Sequence, residues 1–329
     1  MSISGNADRP APNTVELTDI ESKSIRGIAA DLVAAADSTI SPAWAEAAGA
    51  AWQEVPGSVR KRVTRFRRHS GPVGCLLVRG LPMDEEPIPD TPSVSGSTQS
   101  EPTVPAALNL MFASGLGDPT AFAAEKSGAL VQDVVPVPGS EEIQGNEGSV
   151  QLSLHNENAF HPFRPDYVLL LCLRADHERI AGLRTACLRR AYPHLGDRCR
   201  EALFREDFVT ARPPSFGTAP NAAAEPHAVL SGSPDDPDIV VDFAATTPAT
   251  SAAGTALREL ESALNAQALT LRLAPGELAI VDNNVALHGR TAFTPRYDGR
   301  DRWLQRSFVA RDLRRSRACR PDDGNVVVG

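Results

Sequence analysis

With 329 residues, 42% of them hydrophobic, the chain carries enough apolar material for one large domain or two small ones. Its net charge of -8 argues against nucleic acid or an anionic membrane as partner, since either would call for a concentrated basic surface. The opening MSISGNADRPAPNTVE lacks an apolar stretch flanked by basic residues, and nowhere do about eighteen apolar residues run uninterrupted, so a cytoplasmic protein acting on a small molecule is expected.

In chain order, residues 1 to about 14 are rich in Pro, Asn, Ser and Gly and are expected to be disordered, leaving 15–329 as one domain. Leu17 to Ala36 carries Ile20, Ile25, Ile28 and Leu32 at helical spacing, and two more helices are expected at Pro42–Glu54 and Gly57–His69. The basic stretch Arg60 to Arg68 is interrupted by Val63 and Phe66, as in a helix with one solvated face. The glycine-bounded run CLLVRG after Gly74 reads as a buried strand. Residues 82–103 hold too many Pro, Ser and acidic residues to pack and form a long surface loop, after which Pro105 to Leu116 is helical.

From Ala129 the character changes. ALVQDVVPV, SVQLSLHNE and DYVLLLCLR are β-branched or apolar runs separated by PGS, QGNEG and FRPD turns. The Pro-, Ala- and Ser-rich stretch 212–237 is expected to be a mobile loop or lid. A strand at Asp238–Phe243, a helix at about Ser251–Ala266, two strands around Pro275-Gly276 and the closing RWLQRSFVAR (302–311) complete the pattern. Many short strands with helices outside them predict an α+β protein with a jelly-roll or cupin-like double-stranded β-helix core and flanking helices. The five cysteines form no CxxC pair and are odd in number, which fits reduced thiols.

His155-Asn156-Glu157 ends an alternating strand, and a period of two places the imidazole and the carboxylate on one face, where they can share a metal. Such a triplet alone is equally served by a surface strand, so a third ligand decides. His288, in VALHGR, comes 133 residues later, the kind of gap that separates two distant strands of one barrel. His69, His177, His194 and His227 fall in helix or loop patterns, and His161, beside Pro162, reads as structural. Two imidazoles and one carboxylate leave three adjacent octahedral positions open, which suits Fe(II) binding a bidentate cosubstrate together with O₂; catalytic zinc usually leaves only one. Arg302 could grip a distal carboxylate as a bidentate fork, and Arg306 faces the same way four residues on. The alternative for both is a salt-bridged surface strand, against which Trp303, Leu304 and Phe308 speak.

The segments HNENAFHPFRPDYVLLLCLRAD, VDNNVALHGRTAFTPRYDGRDRWLQRSFV and EKSGALVQDVVPVPG resemble the clavaminate synthase-like oxygenases, and among them look closest to the bacterial asparagine oxygenases that supply 3-hydroxyasparagine to lipopeptide antibiotics. The resemblance runs from about Trp52 to the C-terminus. It implies a double-stranded β-helix, Fe(II), 2-oxoglutarate and O₂ as cofactors, and β-carbon hydroxylation of a free amino acid, L-asparagine first. By position it makes His155, Glu157 and His288 the iron ligands, Arg302 the holder of the 2-oxoglutarate C5 carboxylate and Arg306 the partner of the substrate's own carboxylate. It places Glu125 at the substrate ammonium and Asn146, Asn158 and Asp242 around its side chain, with Thr185 near the place of a threonine that assists 2-oxoglutarate in some members. Structural readings stand beside these: Asn146 could supply a left-handed turn, Asn158 a cap, and Glu125 a surface ion pair, whereas a carboxylate inside VVDFAA would otherwise be buried without purpose. Glu157 favours hydroxylation over halogenation, because related halogenases lack that carboxylate. The rivals are a hydroxylase of arginine or another cationic amino acid, one acting on a carrier-tethered amino acid, for which Arg306 would stand idle, and a non-catalytic cupin-like metal-binding sensor.

Overall fold

The computed structural model describes residues 13–36, 38–83, 88–213, 216 and 225–328. The N-terminal part holds β1 (Asn13–Glu16), α1 (Asp19–Ala34), α2 (Pro42–Glu54), α3 (Gly57–Arg68), β2 (Cys75–Arg79), α4 (Val104–Leu116), β3 (Asp118–Phe122) and β4 (Gln132–Val134). The middle holds β5 (Leu152–His155), β6 (Tyr167–Arg174), β7 (Leu183–Cys187), α5 (Leu188–Ala191), α6 (Asp197–Leu203) and β8 (Phe208–Thr210). Then follow β9 (Leu230–Ser233), β10 (Asp236–Ile239), β11 (Thr246–Pro248), α7 (Ser251–Gln267), β12 (Leu269–Leu271), β13 (Leu278–Asp282), β14 (Ala286–Arg290), β15 (Trp303–Ala310) and β16 (Val326–Val327).

Local chemistry explains where the longer helices begin. Thr18 and Glu21 form a reciprocal capping box at α1, and Ser41, Thr103 and Thr250 each accept an amide at the starts of α2, α4 and α7. Helix α3 buries Val59, Val63 and Phe66 and exposes Lys61, Arg62, Arg65, Arg67 and Arg68, so its basic residues form the solvated face anticipated above. Helix α4 is apolar on all sides and buried on all sides, lying between the sheet and α1 to α3.

Among the described residues the larger sheet runs β1-β2-β13-β6-β15-β3-β16, with β4 also paired to β15, and the smaller runs β12-β7-β14-β5. Pairing is antiparallel except for β1 with β2 and β3 with β16. Strand β6 is central, which is why YVLLLCLR is apolar almost throughout instead of alternating. One core joins α1 to α4 to the outer face of the larger sheet. A second fills the space between the sheets, with Leu183 of the smaller against Leu170, Cys172 and Leu304 of the larger. A third seats α5, α6 and α7 on the smaller sheet through Leu154, Ala186 and Leu287. The site lies where the two sheets face each other.

Three expectations need correction. Asn13 and Thr14 belong to β1, whose backbone pairs with Leu76 and Leu77, so the frayed terminus cannot extend to residue 14; residues 1–12 lie outside the described ones. The stretch 212–237 is not one loop, since β9 and β10 form a hairpin across Pro234-Asp235; 214–215 and 217–224 lie outside the described residues. The strand expected at Asp238–Phe243 ends at Ile239, and Asp242 joins β5 only through a bridge to His155. No helix of the described residues is long and apolar enough to cross a membrane.

Candidate active site

Strands β5 and β14 bring two histidines from remote parts of the chain face to face. His155 and His288 are registered partners, their ring centroids 4.4 Å apart. The His155 Nδ1–H donates to the Ser153 carbonyl at 2.9 Å, which fixes the tautomer and leaves Nε2 as the free electron pair. Strand β5 stops at His155, so Glu157 is delivered by the following turn and not by the pleat. Its Oε2 nevertheless lies 3.4 Å from His288 Nε2, and the three candidate ligand atoms fall within 4.8 Å of one another. His288 stands within β14 instead of at its end.

Two imidazoles and one carboxylate converging from one side are a donor set that fits Fe(II) with open positions. Burial and the neighbouring His155 hold the His288 imidazole below its usual range, so it is a neutral donor. Burial alone would raise the Glu157 carboxyl, but Arg306 and His288 hold it well below the usual carboxylate range. No cysteine belongs to this ligand group, and burial pushes the Cys75, Cys172, Cys187 and Cys199 thiols up to about 12. In a second group, His177, Asp298 and Asp301, His177 Nε2 pairs with Asp298 at 3.0 Å and the Asp301 carboxylate accepts the Arg296 and Tyr297 amides, while His177 Nδ1 has no hydrogen-bond partner among the described residues.

Beside the triad, Arg306 is buried in a ring of acceptors. Its Nη1 donates to both Glu157 oxygens at 3.1 Å and to Asn146 Oδ1 at 3.2 Å, and its Nη2 donates to Glu125 and Gln132. Asn158, held at φ 51°, donates to the other Glu125 oxygen at 3.3 Å. Glu125, Asn146, His155, Glu157, Asn158, Asp242 and Arg306 share the wall of one cavity of about 400 Å³. Asp242 is half-buried and its Oδ1 accepts the Ala244 amide at 2.8 Å, so a turn accounts for one of its oxygens and burial alone does not demand a functional role for it.

Arg302 lies one residue ahead of β15, 7% exposed, and makes no ion pair among the described residues. Burial pushes its guanidinium down from the usual range, as it does that of Arg290, which drops to about 9, in part through the charge of Arg302. Both guanidinium carbons lie within 6 Å of the Phe293 ring, at 5.9 and 5.6 Å. Thr185 faces His288 across β7 and β14, and its buried hydroxyl has no partner, like Arg290 Nε. Buried donors lacking an acceptor are costly, and together they ask for an anion.

The profile of the family described as "Taurine catabolism dioxygenase TauD, TfdA family" matches residues 58–308, more than half of the chain. The chain belongs to the TauD/TfdA family. Among TauD/TfdA relatives it is 59% identical over 285 residues to the L-asparagine oxygenase of Streptomyces coelicolor, covering 86% of this chain and 85% of that one. It is 32% identical over 261 residues to clavaminate synthase 2 of Streptomyces clavuligerus, covering 78% and 80%. A crystal structure of asparagine oxygenase in complex with Fe(II), 2S,3S-3-hydroxyasparagine and succinate superposes with a TM-score of 0.92 at 55% identity, covering 96% of this chain and 99% of that one.

This TauD/TfdA chain thus brings His155, Glu157 and His288 together, and gathers Glu125, Asn146, Asn158, Asp242 and Arg306 beside His155 and Glu157. Arg302 and His288 are not part of that cavity wall. His161 is structural, its Nδ1 accepting the Phe163 amide and its ring packing edge-on to Phe122. Sequence reasoning missed Gln132, Arg290, Asn156 and Asn283. Arg290 was within reach, since period two from His288 turns it to the same side; it donates to the Gly145 and Val150 carbonyls and so fastens the segment carrying Asn146. Between His288 and Arg290, Gly289 passes so close to β5 that an added Cβ would meet the Leu152 carbonyl oxygen at 2.6 Å. Gly289→Ala is therefore expected to push β5 away, with about 1–3 kcal/mol of lost stability and weakened metal binding. Thermal melting with and without Fe(II) checks this, and an unshifted midpoint with full affinity would contradict it.

Proposed function

We propose that this chain is an Fe(II)- and 2-oxoglutarate-dependent oxygenase that hydroxylates the β-carbon of free L-asparagine, giving 3-hydroxyasparagine for a nonribosomal peptide antibiotic. The observation that carries the reading is the pairing of buried Arg306 with half-buried Glu125 beside the triad, in a chain 59% identical to an L-asparagine oxygenase. A free amino acid presents a carboxylate and an ammonium on one carbon. Arg306 and Glu125 offer the matching charges side by side, and the zwitterion inserts between them. Asn146, Asn158 and Asp242 then surround the side chain.

His155, Glu157 and His288 hold the iron, which with 2-oxoglutarate and O₂ supplies the oxidising power that replaces C–H by C–OH while 2-oxoglutarate becomes succinate and CO₂. Arg302 grips the distal carboxylate of 2-oxoglutarate, with the Thr185 hydroxyl donating to the same ligand. The protein's contribution is orientation, and the β-carbon of asparagine is placed by its α-carbon clamp. We read the two facing sheets as a double-stranded β-helix and the described residues, from Asn13 onward, as a single domain.

The test is a panel of free amino acids, including asparagine, aspartate, glutamine and arginine, scored by succinate formation and product mass. Asparagine should be favoured and should gain one oxygen atom; preference for arginine or for a carrier-bound substrate would sink the assignment. Arg302→Lys replaces a bidentate fork by a point charge. It should raise the 2-oxoglutarate requirement roughly 10- to 100-fold, the value of a lost charge-assisted hydrogen bond, and barely move that for asparagine. A shift in the asparagine requirement instead would exchange the roles of Arg302 and Arg306.

A further inference from the structure

Two buried asparagines, bonded to backbone groups, lock the ligand segment in place. The Asn283 side chain is fully buried and its Oδ1 accepts the Glu157 amide at 2.8 Å. Its Nδ2 donates to the Glu157 carbonyl at 3.1 Å and to the Pro165 carbonyl at 2.8 Å. The Asn156 side chain, 1% exposed and at the edge of the cavity wall, answers in kind. Its Nδ2 donates to the Asn283 carbonyl at 2.7 Å and, more weakly, to the Ala286 carbonyl at 3.4 Å, and its Oδ1 accepts the Val241 amide at 2.9 Å. The Asn156 backbone amide also donates to the Val241 carbonyl at 2.8 Å.

Glu157 needs such support because the strand has ended before it, so no ladder of sheet hydrogen bonds fixes its backbone. Only a carboxamide offers one acceptor and two donors from one planar group, which matches what Asn283 meets. We propose that Asn283 and Asn156 are positioning residues: Asn283 holds the Glu157 backbone so that its carboxylate is presented to the iron, and Asn156 ties that segment to Val241, and thereby Asp242, and to Ala286 at the start of the His288 strand. The inference rests on the iron-site reading above. Through it the metal ligands and the wall that reads the substrate side chain share one hydrogen-bonded frame.

The test is anaerobic titration of the full chain with Fe(II) in the presence of 2-oxoglutarate, followed by visible absorption, with melting of the metal-free protein measured beside it. Asn283→Ala should raise the apparent Fe(II) Kd roughly 10- to 100-fold, the usual effect of losing an outer-shell partner. Asn156→Ala leaves both bonds to the Glu157 backbone intact, so it should weaken iron less and raise the asparagine KM about tenfold through misplacement of Asp242. Asn109→Ala is the control for loss of a buried amide, since Asn109 is equally buried and bonds the Gln305 carbonyl from α4. It should lower the melting midpoint without touching iron affinity. If Asn283→Ala does not fold, Asn283→Asp, which keeps the acceptor for the Glu157 amide and loses both donated bonds, is judged by the same titration and should also bind iron more weakly. An Fe(II) Kd within twofold of wild type in the folded Asn283 variant, or an equal weakening in Asn109→Ala, would overturn the proposal. Failure of the wild-type chain to bind Fe(II) would instead remove the iron-site reading itself.

Discussion

Replacing His288 by Ala is expected to abolish succinate formation and to weaken Fe(II) binding by more than about 100-fold, beyond what the loss of an outer-shell partner costs. His288 and Glu157 lie 3.4 Å apart, and without the imidazole only His155 and Glu157 remain from the triad. The fold should survive. His288 is a neutral side chain, and its removal leaves the Glu157 charge still compensated by Arg306 at 3.1 Å, so no buried carboxylate is stranded. What is lost structurally is ring packing against His155. Iron content by metal analysis, succinate yield and the melting midpoint of the metal-free protein separate the two effects. Retention of full turnover would show that His288 does not hold the metal.

Asp242→Asn should open the enzyme to L-aspartate. In the wild type a carboxylate on the cavity wall can accept from the asparagine carboxamide, whereas aspartate brings a second negative charge to the same place. Such a like-charge contact costs several kcal/mol when partly desolvated, or roughly a hundredfold or more in discrimination. The structure adds a directional argument. Because Oδ1 of residue 242 accepts the Ala244 amide, an asparagine there is turned with its oxygen to that amide and its NH₂ toward the cavity. The variant therefore presents a donor where aspartate needs one. Comparison of kcat/KM for the two amino acids is the measurement. A folded, iron-loaded variant that still rejects aspartate, or a wild-type enzyme that already prefers it, would show that Asp242 does not read the substrate side chain.

The parts legible in the sequence are those whose signals are local. Helices α2, α3, α4 and α7 lie within about a residue of their expected limits because hydroxyl caps and Pro mark their beginnings. The apolar run of β6 and the RWLQRSFVAR segment of β15 announced themselves as buried strands. Strands β3 and β7 did not, since DPTAF and LRTAC carry Asp, Pro, Arg and Thr among their apolar residues and lack the continuous apolar run of β2. The β9–β10 hairpin was hidden because Ser, Gly, Pro and Asp read as loop although the two-residue connection makes them pair. At the site, His155 and His288 stood out as chemistry-bearing residues in strand patterns, although His288 proves to lie within its strand and not at its end, and a turn instead of the pleat delivers Glu157. Asn156 and Asn283 escaped because each acts on backbone groups of segments remote in sequence, and a single sequence carries no record of such partners.

The His155–His288 register has a consequence for how the protein is made. The two histidines are 133 residues apart, so pairing β5 with β14 closes a loop whose entropic cost is roughly 4 kcal/mol before any constant term. Contacts of such separation form slowly, and most of the chain must have left the ribosome before His288 can reach its partner. Iron cannot then nucleate the fold; it is captured by a nearly finished one. Captured there, it also acts as a proofreader of strand alignment. A slip of β14 by a single residue would turn His288 to the other face of the smaller sheet and bring Gly289, which has no donor side chain, opposite His155. Only correctly aligned chains would take up the metal and gain its binding energy as stability.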